Sequence, residues 1–327
     1  MALRLIADAP SGPCPAEASS NRARSCLKTL DPSLQAFRDL SSGRYLIRTM
    51  TPSELREVTI PWMRTSGWNP GIHDASTFLT ADPDGFLIGM LDGRPIACVS
   101  AVRYDDSFGF FGCYLVDAPF RGFGYGLALH EAGRRHLAGC TQGGDGVLEN
   151  VEKYRRIGRE FAYRNARHEG IRTDAQAVTS SSIRPAQEIP WEAIASLDRY
   201  CFPARRTSFL KAWITQPDAH ALVVTGSGDA EPVLGFGVIR RCFSGWKIGP
   251  LFARNPDTAE LLFTSLVSRI PVGDSFYLDV PEPNQAALAL VSRHGMREVF
   301  ATARMYTGPF PVIQLDWVYG VTTFELG

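Results

Sequence analysis

Between Leu115 and Gly126 the chain reads Leu-Val-Asp-Ala-Pro-Phe-Arg-Gly-Phe-Gly-Tyr-Gly, the run with the most specific chemistry in the sequence. Glycines at 122, 124 and 126 allow a tight turn that aims successive N–H groups the same way. Ahead of a helix, such a row of amides holds a diphosphate, and Arg121 adds a positive charge at the same mouth. A lone Gly-x-Gly is also ordinary turn chemistry, so its surroundings decide. A dinucleotide-binding fold needs this turn after its first strand, with an acidic residue about twenty positions on. Here the turn follows several strand-like segments. A nucleotide triphosphatase needs a closing Gly-Lys-Ser/Thr, which the run lacks.

The other reactive side chains form no comparable constellation. The seven cysteines (Cys14, Cys26, Cys98, Cys113, Cys140, Cys201, Cys242) are odd in number and widely spaced, with no Cys-x-x-Cys. Neither a disulfide framework nor a zinc site is expected, and a reducing cytoplasm is. Cys113 falls mid-strand with no recognisable base, so no covalent intermediate is expected. His130 and His136 do not stack at i, i+3 or i+4 spacing, and no metal is expected. A formal charge of +0 and a pI near 7.0 give no field that recruits nucleic acid or anionic lipid. No segment approaches the roughly 20 apolar residues of a membrane span. The expectation is a soluble protein with a small-molecule substrate and neither a nucleic-acid nor a membrane partner.

These groups need a scaffold, and 327 residues at 45% hydrophobic composition can bury two cores. Tyr45-Leu-Ile-Arg reads as a strand, and Thr51-Pro-Ser-Glu caps a helix. Gly85 to Leu91 and Pro95 to Val102 flank Asp92-Gly93, the signature of an antiparallel hairpin. Phe108 to Val116 is apolar on both alternating faces and reads as a central strand. The glycine run follows it, then a helix with Tyr125, Ala128, Leu129 and Ala132 on one face. A short strand near Gly146, a helix from Glu152 to Ile157 and a strand from Phe161 to Arg167 close the first unit. The second half repeats the rhythm: helix Trp191 to Tyr200, strands Ala221 to Thr225, Val233 to Arg240 and Trp246 to Ala253, a helix capped by Asn255-Pro256, strand Ser275 to Val280, helix Asn284 to His294 and strand Phe300 to Tyr306. Phe108 to Gly158 and Trp246 to Gly295 each span about fifty residues, which suggests internal duplication.

Arg121-Gly-Phe-Gly-Tyr-Gly after an apolar strand resembles the acyl-CoA loop of the GNAT superfamily of N-acetyltransferases. Trp68-Asn-Pro-Gly, Phe202-Pro-Ala-Arg, Lys247-Ile-Gly-Pro-Leu-Phe-Ala, Leu278-Asp-Val-Pro-Glu-Pro-Asn, Thr302-Ala-Arg-Met-Tyr and the terminal Thr323-Phe-Glu-Leu-Gly are similar to a tandem-GNAT subgroup with a dedicated C-terminal domain. The resemblance covers about Tyr45 to the end. It implies an α/β (α+β) fold of two tandem GNAT-type domains, each a mixed, mainly antiparallel sheet flanked by helices. The expected boundaries are a mobile extension over 1–43, an N-terminal domain with the acyl-CoA site over 44–172, a linker over 173–182, and a C-terminal domain without its own CoA site over 183–327. It further implies acetyl-CoA as co-substrate, Leu115 and Val116 against the pantetheine, and Arg121, Gly122, Phe123, Gly124, Tyr125 and Gly126 at the phosphates. The usual proline three residues before the arginine is Ala118, with Pro119 beside it. Tyr154, ahead of Gly158, matches the family tyrosine that protonates the leaving thiolate. The family's preceding Asn is Val147 here, and its Phe after the glycine is Arg159.

In the second half Asn284 and Gly295 keep the helix signature, but Val291 holds the tyrosine position and Arg254-Asn-Pro-Asp lacks the glycines. This half is expected to shape the acceptor pocket. No residue declares itself as the base. Trp68, Asn69 and His73 lie in the loop where GNAT domains touch acceptors. Tyr114 and Asp117 sit near the end of the central strand, Glu149 lies beyond the next one, and Asp279, Glu282, Arg304 and Tyr306 fall at strand ends of the second half. Each has an ordinary structural reading: Tyr154 as a packing tyrosine, His73 as a surface residue, Trp68 as core. The expectation is acetyl transfer to the amine of a small metabolite by direct attack, through a tetrahedral intermediate and thiolate release. The alternative is a non-catalytic acyl-CoA-binding or regulatory protein.

Overall fold

The computed structural model describes residues 35–173, 180–227 and 232–327. The expected extension as far as residue 34 and the linker at 174–179 lie outside the described residues. Residues placed by the sequence reading in the rest of the extension form a helix, α1 (Gln35–Ser41), with Ala36 and Asp39 buried.

Strand β1 (Tyr45–Thr49) leads into α2 (Pro52–Glu54), where Thr51 and Glu54 form a capping box, and a π turn over Leu55–Thr59 joins it to α3 (Ile60–Thr65). After α4 (Asp74–Phe78), strands β2 (Phe86–Leu91), β3 (Arg94–Arg103) and β4 (Phe108–Val116) add antiparallel neighbours. Asp92 and Gly93 take the positive φ angles, 48° and 80°, that the tight hairpin demands. Helix α5 (Tyr125–His136) crosses back to β5 (Thr141–Val147), which runs parallel to β4. Helix α6 (Val151–Arg156) and β6 (Glu160–Ile171) complete this half.

The second half comprises β7 (Ile183–Pro185), α7 (Trp191–Cys201), α8 (Thr207–Thr215), β8 (Ala219–Thr225), β9 (Val233–Arg241), β10 (Trp246–Ala253), α9 (Pro256–Val267), β11 (Ser275–Pro281), α10 (Gln285–Arg293), β12 (Arg297–Thr307) and β13 (Val318–Gly320). Asn255 and Asn284 cap α9 and α10, their side chains accepting from the amides of Thr258 and Ala287.

The thirteen strands among the described residues belong to one sheet, in the order β1-β2-β3-β4-β5-β12-β6-β11-β10-β9-β8-β7, with β13 on β10. The strand expected to close the first unit, β6, lies between β12 and β11, and β12 takes the place beside β5. Linear patterning cannot foresee this exchange, because either partner satisfies the same ladder. One core continues across the join, where Phe78 of the first half stacks on Trp213 of the second at 6.2 Å between ring centroids. Among the described residues no helix is long and apolar enough to cross a membrane.

Candidate active site

The site begins with a flaw in the central strand. Pairing of β4 with β5 runs from Phe108↔Thr141 to Phe111↔Gly144 and then stops. Beyond it the strands part and leave the main chain from Gly112 to Val116 without a partner on that side. A bulge marks the vertex: against β3, Gly112 pairs with Ser100 and Leu115 with Cys98, so β4 holds one extra residue, and Cys113 absorbs it at φ 47°. Strand β5 is glycine-rich for a steric reason. A Cβ on Gly143 would lie 2.8 Å from the Phe110 ring, and one on Gly146 would collide with Tyr154. Those glycines hide the start of the strand from pattern reading, which expects only its end.

At the open end of the gap lies the glycine turn. Gly122 and Gly124 adopt φ 84° and 85°, the left-handed region that glycine enters without strain. Among the described residues, the amides of Gly122, Phe123, Gly124, Tyr125, Gly126 and Leu127 take no hydrogen bond, whereas the amide of Arg121 donates to Ala118 and that of Ala128 to Gly124. The start of α5 therefore presents a row of free donors. Gly126 lets the helix lie close on β4, since a Cβ there would stand 2.5 Å from the Tyr114 hydroxyl and 2.8 Å from a Val116 methyl. The Tyr125 ring points away from the gap, its hydroxyl donating to Asp39 at 2.5 Å. Arg121 is exposed, and its Nε donates to the Val116 carbonyl at 2.8 Å.

Between the parted strands is a cavity of about 790 Å³ that reaches both faces of the sheet. On the α5 and α6 side it is lined by Phe111, Tyr114, His130, Gly144, Gly146, Tyr154 and Arg159. Burial raises the Tyr154 phenol above the ordinary tyrosine value, while Arg159 and a hydrogen bond with Asn150 oppose the shift. The Tyr154 phenol is therefore neutral at physiological pH. Burial also pushes Tyr114 up to about 12. His130 stacks on Phe111 at 4.8 Å, and burial, then Arg159 and Arg134, push it down to about 4.

On the opposite face the wall is Ser66, Trp68, Cys113, Arg167, Phe300, Thr302, Phe324 and Glu325. The C-terminal segment makes part of this wall by lying directly on the β4 backbone, where a Cβ on Gly112 would clash with the Glu325 main chain. Glu325 is 3% exposed and forms no ion pair among the described residues; its carboxylate accepts from the Thr323 hydroxyl. The Cys113 thiol, pushed well up by burial and then by Glu325, faces the Met63 sulfur at 3.8 Å and is no nucleophile.

Several expected site residues line this cavity: Trp68, Tyr114, Leu115, Val116, Arg121 and Tyr154. Others serve the scaffold. Asn69 exchanges hydrogen bonds with the Ser244 backbone at 2.7 and 2.9 Å. His73 meets Asp218 at 2.8 Å. Asp279 is buried in a two-point pair with Arg167 at 2.6 and 2.8 Å. Tyr306 is buried in an aromatic cluster with Phe108, Phe110 and Phe202. None of these four reaches the cavity wall. They hold the Trp68 loop and the join, with Arg167 and Lys247 both donating to the Trp68 carbonyl. Sequence reasoning assigned no chemistry to Glu325, although it had singled out the terminal Thr-Phe-Glu-Leu-Gly motif.

Comparison with known proteins bears on the family and the fold. The profile described as "Acetyltransferase (GNAT) family" matches residues 47–151, and that described as "Acetyltransferase (GNAT) domain" matches residues 194–320. The chain is 31% identical over 288 residues to the holothin acyltransferase of Pseudoalteromonas sp. (strain SANK 73390), covering 85% of this chain and 94% of that protein. Among solved structures, a putative acetyltransferase from Pyrococcus horikoshii superposes with a TM-score of 0.71 at 23% identity, over 87% of this chain and 96% of the other. A tandem GNAT protein from the clavulanic acid biosynthesis pathway gives a TM-score of 0.57 at 13% identity, over 81% and 99%. The two structural likenesses speak to the fold.

Proposed function

The chain belongs to the GNAT acyltransferase family as a tandem member, and on that premise we propose that it moves an acetyl group from acetyl-CoA to the amine of a small metabolite. In this reading the amides from Gly122 to Leu127 and the Arg121 charge grip the diphosphate, and the pantetheine follows the free edge of β4. The amine enters from the Trp68 side and attacks the thioester carbonyl carbon directly. Its surplus proton passes to Glu325, the C–S bond breaks, and Tyr154 protonates the thiolate that leaves. The second half takes no CoA of its own: where the first half has free amides, the Asn255 side chain occupies the Thr258 amide at the start of α9. The cysteines described, all free, support a reducing cytoplasm as its setting.

The observation that carries the reading is a cavity open to both faces of a sheet where two parallel strands part, with unbonded amides at its mouth. It lets donor and acceptor meet from opposite sides, which supplies proximity without a covalent intermediate. The test is incubation with acetyl-CoA and a panel of amines, holothin included because a relative carries its name. Thiol release and amide mass are the readouts. Amide formation with at least one amine is expected. A rise in melting temperature with acetyl-CoA but no amide from any amine leaves an acyl-CoA-binding regulator. No shift at all overturns the acyl-CoA assignment.

A further inference from the structure

Arg159 stands where the family signature carries phenylalanine, and it is 6% exposed. Its guanidinium carbon lies 4.7 Å from the centroid of the Phe111 ring, and Nη1 is 3.0 Å from the position a Cβ on Gly144 would take. Phe111 and Gly144 are the last paired residues of β4 and β5, so the cation sits at the vertex of the gap and lines the cavity. Burial pushes it down to about 10, Tyr154 opposing and Arg134 adding, which leaves it charged at neutral pH. No carboxylate comes within ion-pair range and no protein acceptor takes its N–H groups among the described residues. The carboxylates on α5, α6 and β5 around it pair with other arginines. Helix α5 presents neutral His130, with an unbonded buried Nδ1, and Arg134, itself paired with Glu131 at 3.3 Å. From α6 comes the Tyr154 phenol. Asp145 of β5 is bound from the other face by Arg304 at 2.8 and 2.7 Å.

A buried cation without a partner is costly, and a cavity wall keeps one where the ligand brings the opposite charge. From Phe111 to Val116 are five residue steps, at most about 17 Å along an extended strand and less through the bulge at Cys113, a length comparable to an outstretched pantetheine arm. A CoA held by its diphosphate at the glycine turn therefore delivers its sulfur to the vertex. We infer that Arg159 is a catalytic residue whose guanidinium stabilises the CoA thiolate as it leaves, an assignment that rests on the acyl-CoA reading of this cavity. When the tetrahedral adduct collapses, the C–S electron pair moves onto sulfur beside the guanidinium. Tyr154 then gives that sulfur its proton and is itself reprotonated from solvent.

The test reads the ionisation of bound thiol directly and needs no turnover. CoA isotope-labelled at the carbon beside sulfur is titrated by NMR, free and bound to the full-length parent, Arg159→Met and Arg159→Lys chains. The parent is expected to lower the thiol pKa by about 1 to 3, as an opposite charge within contact distance does, with Lys retaining most of the effect and Met losing it. In turnover, kcat of Arg159→Met is expected to fall by about 10² to 10³, the scale for losing one preorganised electrostatic group, with KM for acetyl-CoA little changed. A bound thiol that ionises at the same pH as free CoA overturns the Arg159 assignment, and this comparison requires only the parent should the Met variant misfold. Failure of CoA to bind the parent overturns the acyl-CoA reading instead.

Discussion

At the scale of single residues, the proposed chemistry depends on groups held in unusual surroundings. The Tyr154 phenol, raised further by burial, holds its proton at neutral pH, as the acid role proposed for it requires. Tyr154→Phe removes the proton and keeps the ring that packs on Gly146, so kcat at neutral pH is expected to fall by about 10² or more while acetyl-CoA binding is retained. A raised phenol pKa also sets a sign: the parent should lose rate as pH climbs through that value, and the phenylalanine variant should lack this alkaline limb. Equal kcat for the two proteins at neutral pH ends the acid assignment. Gly126 matters for the opposite reason, the absence of atoms. Gly126→Val must push α5 off Tyr114 and Val116 and so re-aim the amide row. Calorimetry is expected to show acetyl-CoA affinity reduced at least tenfold, about 1.4 kcal/mol. Unchanged affinity would mean that the row does not grip the diphosphate.

At the scale of elements, the site is a junction whose parts come from distant stretches of chain. The Trp68 loop of the first half is held by Arg167 of β6 and Lys247 of β10, and Arg167 in turn is fixed by Asp279 of β11. Burial alone would raise the Asp279 carboxyl, but Arg167 and then Lys247 and Arg240 more than offset this and hold it below the usual range. Removing one charge from this fully buried pair leaves the other uncompensated, so Asp279→Asn is expected to cost about 3–5 kcal/mol by urea denaturation. A carboxyl whose folded pKa is depressed stabilises the fold above its unfolded value, about 3.9, and loses that contribution as pH falls through the folded value. The gap between parent and variant should therefore be constant from pH 5 to 8 and close only in strong acid; a gap that opens on acidification refutes the pairing argument. Elements of this kind were partly legible in the sequence. Phe108 to Val116 and Trp246 to Ala253 declare themselves by near-continuous apolarity, and Asn255-Pro256 by its capping chemistry. Most of β5 did not, because its glycines answer to Phe110 and Tyr154 rather than to strand propensity. Helix α8 was not foreseen either: its apolar face meets Phe78 and the core under β8, partners that no local window contains.

For the whole molecule, the glycine turn and the central strand could be read from the sequence, and Tyr154 lines the cavity as its spacing suggests, but the opposite wall of the cavity could not be read. Glu325 and Phe324 reach the cavity from the far end of the chain, and Arg167 from a strand that the sequence reading assigned to the first unit. The physical cause is the exchange of β6 and β12. Strand β12 fills the position beside β5 over Gln142 to Val147, and β6 pairs with β12 on one edge and β11 on the other. Neither half can then complete its sheet alone, since each would expose long unpaired ladder edges together with the core that Phe78 and Trp213 share. Two consequences follow for folding. Calorimetry of the intact chain is expected to show one cooperative transition with calorimetric and van't Hoff enthalpies equal, where independent domains would give two. A fragment ending at residue 172 keeps the whole glycine turn and Tyr154, yet is expected to aggregate, and to become soluble and bind acetyl-CoA only when co-expressed with residues 183–327. On this argument the glycine turn proposed to grip the diphosphate depends on β12, a strand more than a hundred residues away. A soluble, monomeric fragment ending at 172 whose melting temperature rises with acetyl-CoA would show instead that β5 and β6 can pair directly and that the exchange is dispensable.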